Sequence, residues 1–214
     1  MPGRSFRESI LDDFLRSLTG PCSVTRGSAV LVCVSGGIDS MVLLDLMQRA
    51  APAVDLRLGV IHVDHGLRVE ESKRDASWVR KQCRTRGLRF HLKRLHMGPQ
   101  TPNAEEEARR LRYQAVTGCM RRHGYACAAT GHTLDDQAET VLMRMARTAS
   151  LDSLAGIPRH GQWKGLRLFR PLLGERREAL RGFLREIGQD WIEDPSNDDP
   201  RFERVRIRKL MPEL

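Results

Sequence analysis

Residues Val32–Met41 read VCVSGGIDSM. The apolar run Ala29–Val34, with valines at 30, 32 and 34, is short and continuous, the pattern of a strand buried on both faces. From Ile38 to Leu46 the chain is almost wholly apolar again, but now in helix formers, so a buried helix is predicted there. Between them lies Ser35-Gly36-Gly37-Ile38-Asp39-Ser40. Gly36 and Gly37 lack Cβ atoms and let backbone approach a ligand closely, while the free N–H groups and dipole of the helix start suit a phosphate or pyrophosphate. Ser35 and Ser40 add hydroxyl donors, and Asp39 can hold a Mg²⁺ that neutralises the anion. The hexapeptide is neither the Walker pattern nor the dinucleotide fingerprint. The competing reading is a capped helix start in which Asp39 answers the dipole.

Outward from this stretch, strands and helices alternate. Ser5–Leu18 repeats apolar residues every four positions and predicts an amphipathic helix. After the buried helix come a strand at Leu56–Val63, a basic helix at about Glu70–Arg86, a strand at Leu88–Leu95, a helix at about Asn103–His123, a strand at Tyr125–Thr130 and a helix at Leu134–Ala146. That order specifies an α/β domain with a parallel sheet wound by right-handed crossovers, whose ligands bind beyond the C-terminal ends of the strands. The segments falling there are SGGIDS, HVDHGLR (His62–Arg68) and TGHTLDDQ (Thr130–Gln137). We divide the chain into this domain, residues 1–150, and an appendage, residues 151–214, packed on it. The appendage has a predicted strand at Leu166–Phe169, a helix at Arg176–Ile187 and a basic tail.

Composition limits the classes of function. The chain of 214 residues is 40% hydrophobic and 29% charged, with no stretch apolar enough for a membrane span and no signal-like apolar block near its start; we expect a cytoplasmic protein. Cys22, Cys33, Cys83, Cys119 and Cys127 are odd in number and form no C-x-x-C pair, which argues against disulfides, zinc and iron–sulfur ligation. The 36 Lys plus Arg exceed the 27 Asp plus Glu, and the resulting +9 favours a polyanionic partner, nucleic acid first.

Chemistry concentrates in a few motifs. In GHTLDDQAET (Gly131–Thr140), His132, Asp136 and Glu139 share one face if the helix extends back to the histidine, and Ala138, Val141, Leu142 and Met145 form a core-facing stripe opposite. The imidazole and two carboxylates could bind a cationic amino acid, coordinate Mg²⁺ or assist proton transfer from an ammonium nucleophile; a solvated acidic face is the plainer alternative. His62, Asp64 and His65 leave the second strand at the same edge without a clear fourth metal ligand. In EEARRLRY (Glu106–Tyr113), Glu105 with Arg109 and Glu106 with Arg110 have the spacing of helix-supporting ion pairs. Arg201, Arg204, Arg206, Arg208 and Lys209 could meet nucleic-acid phosphates or form a solvated helix face, and Ser196 and Asn197 look like turn and cap residues.

Strand-SGGIDS-helix resembles the pyrophosphate loop of the ATP pyrophosphatase superfamily. Together with HVDHGLR, EEARRLRY, GHTLDDQAET, RPLL (Arg170–Leu173) and WIEDPSNDD (Trp191–Asp199), in that order, it resembles the tRNA(Ile)-lysidine synthetase family over nearly the entire chain. The resemblance implies a Rossmann-like parallel sheet sandwiched by helices, of the adenine nucleotide alpha-hydrolase-like (PP-loop) type. It implies a ligase that uses ATP, Mg²⁺ and free L-lysine to convert the wobble cytidine of tRNA(Ile) bearing a CAU anticodon into lysidine, releasing AMP and pyrophosphate. Ser35, Gly36, Gly37, Ile38, Asp39, Ser40 and His62 would then line the nucleotide site, with Mg²⁺ near Asp39. Asp39, Asp136, Glu139, His132 and Arg112, the last at a position where the family has an arginine facing the active site, would carry the chemistry. A homodimer is implied as well, and the usual C-terminal tRNA-binding domain is absent from these 214 residues. Two departures stand out: Val205 replaces the asparagine of the family's R-N-R-I-R signature, and Thr148, Ser150 and Ser153 stand where glycines are common. Rival readings are another PP-loop tRNA modification, 2-thiolation, and a non-catalytic basic RNA-binding module.

Overall fold

A computed structural model of the chain describes residues 6–64, 66, 69–95, 104–147, 154–163, 165–193 and 203–210. Strands β1 (Ala29–Cys33), β2 (Arg57–Asp64), β3 (Arg89–Arg94) and β4 (Cys127–Ala129) alternate with helices α2 (Ile38–Val54), α3 (Val69–Thr85) and α4 (Ala104–His123), after an initial α1 (Phe6–Thr19). Helix α5 (Leu134–Arg147) follows β4, then β5 (His160–Trp163), β6 (Leu166–Phe169), α6 (Arg177–Glu186) and α7 (Glu203–Leu210). The sheet runs β3-β2-β1-β4-β6-β5, with every pair parallel except β5 and β6.

β1 is central, and its continuous apolar run follows from burial on both faces. Val30, Val32 and Val34 point into a core shared with Phe14, Leu18, Met41, Leu44, Leu180 and Phe183. Leu31 points the other way, into a second core with Val116, Cys119 and Met120 of α4. Helix α2 packs against both α1 and α6 as well as the sheet. Met41, Val42, Leu43, Leu44, Leu46 and Met47 are all fully buried, so the apolar block that opens α2 is the sequence signature of this middle layer, and its polar side is confined to residues such as the ion-paired Asp45 and Arg49.

The predicted elements match the observed ones to within a few residues, with four differences, the first being that Glu203–Leu210 of the basic tail forms helix α7. Helix α2 runs on to Val54, where Asp55 closes it in the left-handed region (φ 53°). β4 is shorter than Tyr125–Thr130. β5 was not visible in the sequence because HGQW has no apolar alternation; pairing with β6, not its own pattern, makes it a strand. Residues 151–214 therefore supply two strands to the common sheet as well as the α6 layer. No described helix is long and apolar enough to cross a membrane.

Candidate active site

The turn after β1 is organised around one hydroxyl. Ser40 Oγ accepts hydrogen bonds from the backbone N–H groups of Ser35 (3.2 Å) and Gly36 (3.1 Å), lies 3.1 Å from Ser35 Oγ, and donates to the Gly37 carbonyl (2.9 Å). A polar oxygen thus already sits where backbone donors converge, the geometry of an anion cradle. Gly36 is required on two counts: its φ is +105°, and a Cβ there would lie 2.5 Å from Ile192 Cδ1. Ile192 also donates its N–H to the Gly36 carbonyl (2.9 Å), so this residue packs directly on the loop. On the other side, a Cβ on Gly131 would come within 2.9 Å of the Asp39 carbonyl oxygen, which lets the loop after β4 press against the start of α2.

His62 at the end of β2 is buried, and its Nδ1 lies 2.9 Å from the Val34 carbonyl. A carbonyl can only accept, so Nδ1 carries the proton and Nε2 is the open nitrogen. Burial lowers its pKa, which keeps the ring neutral. Asp64, also buried, accepts from the Gly66 N–H (2.8 Å). His65, Leu67 and Arg68 lie outside the described residues.

Helix α5 starts at Leu134, so His132 precedes it and does not share its face, contrary to the spacing argument. Thr133 and Asp136 form a reciprocal cap: the Thr133 N–H (2.9 Å) and hydroxyl (3.1 Å) donate to Asp136 Oδ2, while the Asp136 N–H lies 3.3 Å from Thr133 Oγ1. His132 reaches the same region from the loop, with Nδ1 2.9 Å from Thr130 Oγ1. Burial pushes its pKa down to about 4; Asp136 opposes this, whereas the guanidiniums of Arg170, Arg204 and Arg112 reinforce it. Arg112 therefore acts on this site through its charge, while its own side chain is exposed.

The burial of α5 is inverted relative to expectation. Asp136 is 8% exposed and Glu139 0%, whereas Met145 of the supposed core stripe is 58% exposed and Ala138, Val141 and Leu142 are only half-buried. Guanidinium groups make this tolerable. Arg177, the first residue of α6, donates Nε–H to Asp39 Oδ2 (3.1 Å), and places Nη2 3.5 Å from Asp136 Oδ1 and Nη1 3.8 Å from Glu139 Oε1. Asp135 positions it by accepting the Arg177 backbone N–H at 2.8 Å. Arg208 donates to Glu139 Oε1 (2.7 Å), and Arg204 lies 4.0 Å from Glu139 Oε2 and donates to Thr140 Oγ1 (3.1 Å). Two arginines of the tail thus face inward from α7, and Val205 beside them is buried, so an apolar residue fits there. Arg201, Lys209 and residues 148–153 and 194–200, including Ser196 and Asn197, contribute nothing that the structure describes.

Asp39 is the most perturbed carboxyl of the cluster. Burial pushes its pKa up to about 6, with Asp136 adding to the rise and Arg177 opposing it. Burial works against the charge of Arg177 too, but Asp39, Asp136 and Glu139 together hold its pKa above the ordinary value. Among the described residues, Asp39 Oδ1 and Glu139 Oε2 are buried without a hydrogen-bond partner. Orphaned carboxylate oxygens beside an anion cradle fit a hard cation, so Asp39 is suited to Mg²⁺. Arg177 had not been singled out from the sequence, since nothing in GERREAL marks one arginine as inward-facing. On α4, Arg110 bonds Glu107 (2.7 and 2.5 Å) and Arg109 lies over the Tyr113 ring at 5.5 Å, whereas the side chain of Glu105, the anticipated partner of Arg109, lies outside what is described.

A glycine turn cradling backbone donors, a strand-end histidine and a buried acid–guanidinium cluster at one edge of a parallel sheet define a nucleotide-binding α/β domain. The PP-loop domain family, an ATP-binding family, matches residues 9–214, and the chain belongs to it. Within that family it is similar to the tRNA(Ile)-lysidine synthase of Ruegeria pomeroyi, 43% identical over 199 residues, covering 93% of this chain and 47% of that protein. The tRNA(Ile)-lysidine synthase of Novosphingobium aromaticivorans is 43% identical over 185 residues, 85% of this chain and 55% of that protein. The chain spans about half the length of these relatives. Among solved structures it resembles the U34-tRNA thiolase NcsA of Methanococcus maripaludis with its [4Fe-4S] cluster (TM-score 0.76, 18% identity, 97% of this chain and 73% of that one). It also resembles the NH3-dependent NAD synthetase of Campylobacter jejuni (TM-score 0.54, 12% identity, 98% and 86%). At such identities these two likenesses concern the fold alone.

Proposed function

We propose that this chain carries the catalytic part of a tRNA(Ile)-lysidine synthase: it joins free L-lysine to C2 of the wobble cytidine of a CAU anticodon at the expense of ATP. The observation that carries the reading is the shared guanidinium. Asp39, at the phosphate cradle, and Asp136 and Glu139, on α5, converge on Arg177, with one oxygen of Asp39 and one of Glu139 left over. An anion site and a cation site are therefore contiguous, as a reaction between ATP and a cationic amino acid requires.

In this reading the pyrophosphate portion of ATP rests on the N–H groups of Ser35 and Gly36, displacing or sharing the bonds now made to Ser40 Oγ. A Mg²⁺ at Asp39 would offset the phosphate charge. The cytidine O2 attacks the α-phosphorus and pyrophosphate leaves. The lysine ε-amine then attacks C2 and AMP departs with O2. Arg177 is placed to stabilise charge developing on phosphorus once it exchanges Asp39 for the nucleotide. The ε-ammonium is held between Asp136 and Glu139 and must lose one proton before it attacks; Asp136, held by Thr133, is the acceptor. His132 stays neutral near pH 7 and serves as a hydrogen-bonding wall.

The test is incubation with ATP, Mg²⁺, radiolabelled lysine and tRNA bearing the CAU anticodon. Labelled tRNA(Ile), with AMP and pyrophosphate formed in equal amounts, is expected. Full lysine incorporation by Asp39→Ala, or tRNA binding with no ATP–pyrophosphate exchange, would refute the assignment.

A further inference from the structure

On the other face of the sheet, away from the acid–guanidinium cluster, a second group of ionisable side chains comes together. His91 is in β3, the edge strand, and Cys119 and His123 are in α4. One donor atom from each residue lies within 4.8 Å of the other two. We propose that His91, Cys119 and His123 form a binding site for a transition-metal dication of the zinc class.

The geometry has the parts of such a site. Cys119 and His123 are four residues apart, so they lie on one face of α4 a turn from each other. A tetrahedral ion about 2.1 Å from nitrogen and about 2.3 Å from sulfur holds its donors about 3.5 Å apart, so the set must contract by about 1 Å. His123 is in the last turn of α4 and half-buried, as is His91, so the movement falls on side chains with room to make it. The imidazoles are now stacked, centroids 4.3 Å apart. His91 Nε2 lies 2.9 Å from Tyr125 Oη, which leaves Nδ1 for the ion and makes the phenol the outer partner that fixes the ring. That phenol is seated on the β2 backbone at Gly59, where any Cβ would be 1.9 Å from Oη. Arg89 Nη2 donates to His123 Nδ1 at 3.4 Å, a contact that must give way for His123 to ligate.

Electrostatics cut both ways. Arg89 and Lys93 repel a dication, but the same cations favour the Cys119 thiolate against the burial that raises its pKa. Burial and these neighbours keep His91 neutral, with its pKa pushed down to about 4, and lower that of His123 as well, so both imidazoles offer lone pairs at neutral pH. Water would complete the tetrahedron. An ion here would tie edge strand β3 to the end of α4, and this role is independent of the proposed ligase reaction.

Cobalt(II) titration of chelator-treated protein reads the site directly. One equivalent is expected to give the near-ultraviolet thiolate-to-cobalt charge-transfer band and visible bands of a tetrahedral centre, displaced by one equivalent of zinc. The charge-transfer band should vanish in Cys119→Ser and persist in Glu139→Gln, and zinc should raise the melting temperature of the native chain but not of His123→Gln. Tyr125→Phe should weaken zinc binding about 10-fold. Absence of a thiolate band at one equivalent, or an unchanged band in Cys119→Ser, would overturn the proposal. His123→Gln, altered at a half-buried position, supplies the decision if Cys119→Ser fails to fold: zinc stabilisation equal to that of the native chain would reject the site.

Discussion

Arg177 Nε donates to Asp39 Oδ2 at 3.1 Å across 138 residues of sequence, joining the start of α6 to the start of α2. The same guanidinium faces Asp136 and the fully buried Glu139, so removing it strands several carboxylates. Arg177→Met is expected to lower stability by about 2 kcal/mol, between the values for an exposed and a buried pair because the arginine is partly exposed. Lysine incorporation should fall by at least about 100-fold. Arg177→Lys should recover part of the stability but little activity, since a point charge cannot span three acceptors. Urea unfolding and lysine incorporation on the three proteins provide the comparison.

Asp39 gives the pH dependence. Its pKa in the fold is about 6 against an ordinary 3.8, so its protonated form is favoured by folding. That contribution to stability is full below about pH 4 and is lost as pH rises through 6. Asp39→Asn should therefore be more stable than the native chain at pH 8, on the order of 1–3 kcal/mol, with the advantage shrinking as pH falls toward 4. In the native enzyme kcat/KM should drop below about pH 6, where Asp39 loses its charge. Denaturant midpoints at several pH values, alongside a pH–rate profile, check both halves; an asparagine variant less stable at pH 8 would contradict the burial argument.

Two glycines should respond in opposite directions. Gly36→Ala meets Ile192 and a φ of +105°, so it should destabilise the fold by more than about 1 kcal/mol and abolish ATP–pyrophosphate exchange. Gly118→Ala, inside α4 with nothing within 4 Å of the new Cβ, should stabilise by about 0.5–1 kcal/mol without affecting exchange. Thermal melts of the pair are sufficient.

Ser40→Ala removes the acceptor shared by the Ser35 and Gly36 N–H groups. A loss of about 1–2 kcal/mol in stability is expected, because one buried and one part-buried donor lose their partner. Bound nucleotide should recover part of it by supplying phosphate oxygens to the same donors. Melting temperatures with and without ATP measure this: a larger ATP-induced rise in Ser40→Ala than in the native chain supports the cradle, and an equal rise counts against it.

Hydrophobic patterning alone was enough for the strand–helix alternation, the burial of β1 on both faces and the placing of SGGIDS, His62 and the GHTLDDQAET segment at one sheet edge. Periodicity is a local property, and buried parallel strands with all-apolar helices write it plainly. It was silent on β5, whose strand character comes from its partner β6, and it misjudged α5. There, the apolar stripe is half-exposed and the acidic face is buried, because which face is covered depends on what packs against it. Arg177, Arg204 and Arg208 are the reason Asp136 and Glu139 can be buried, and they arrive from helices tens of residues later in the chain. Similarly, no cysteine spacing announced His91, Cys119 and His123, since one lies on a strand and two on a helix. The sequence by itself determined the layers and the edge that holds the site; charge pairing across distant segments, which only folding brings within a few ångströms, decided which charged groups meet there.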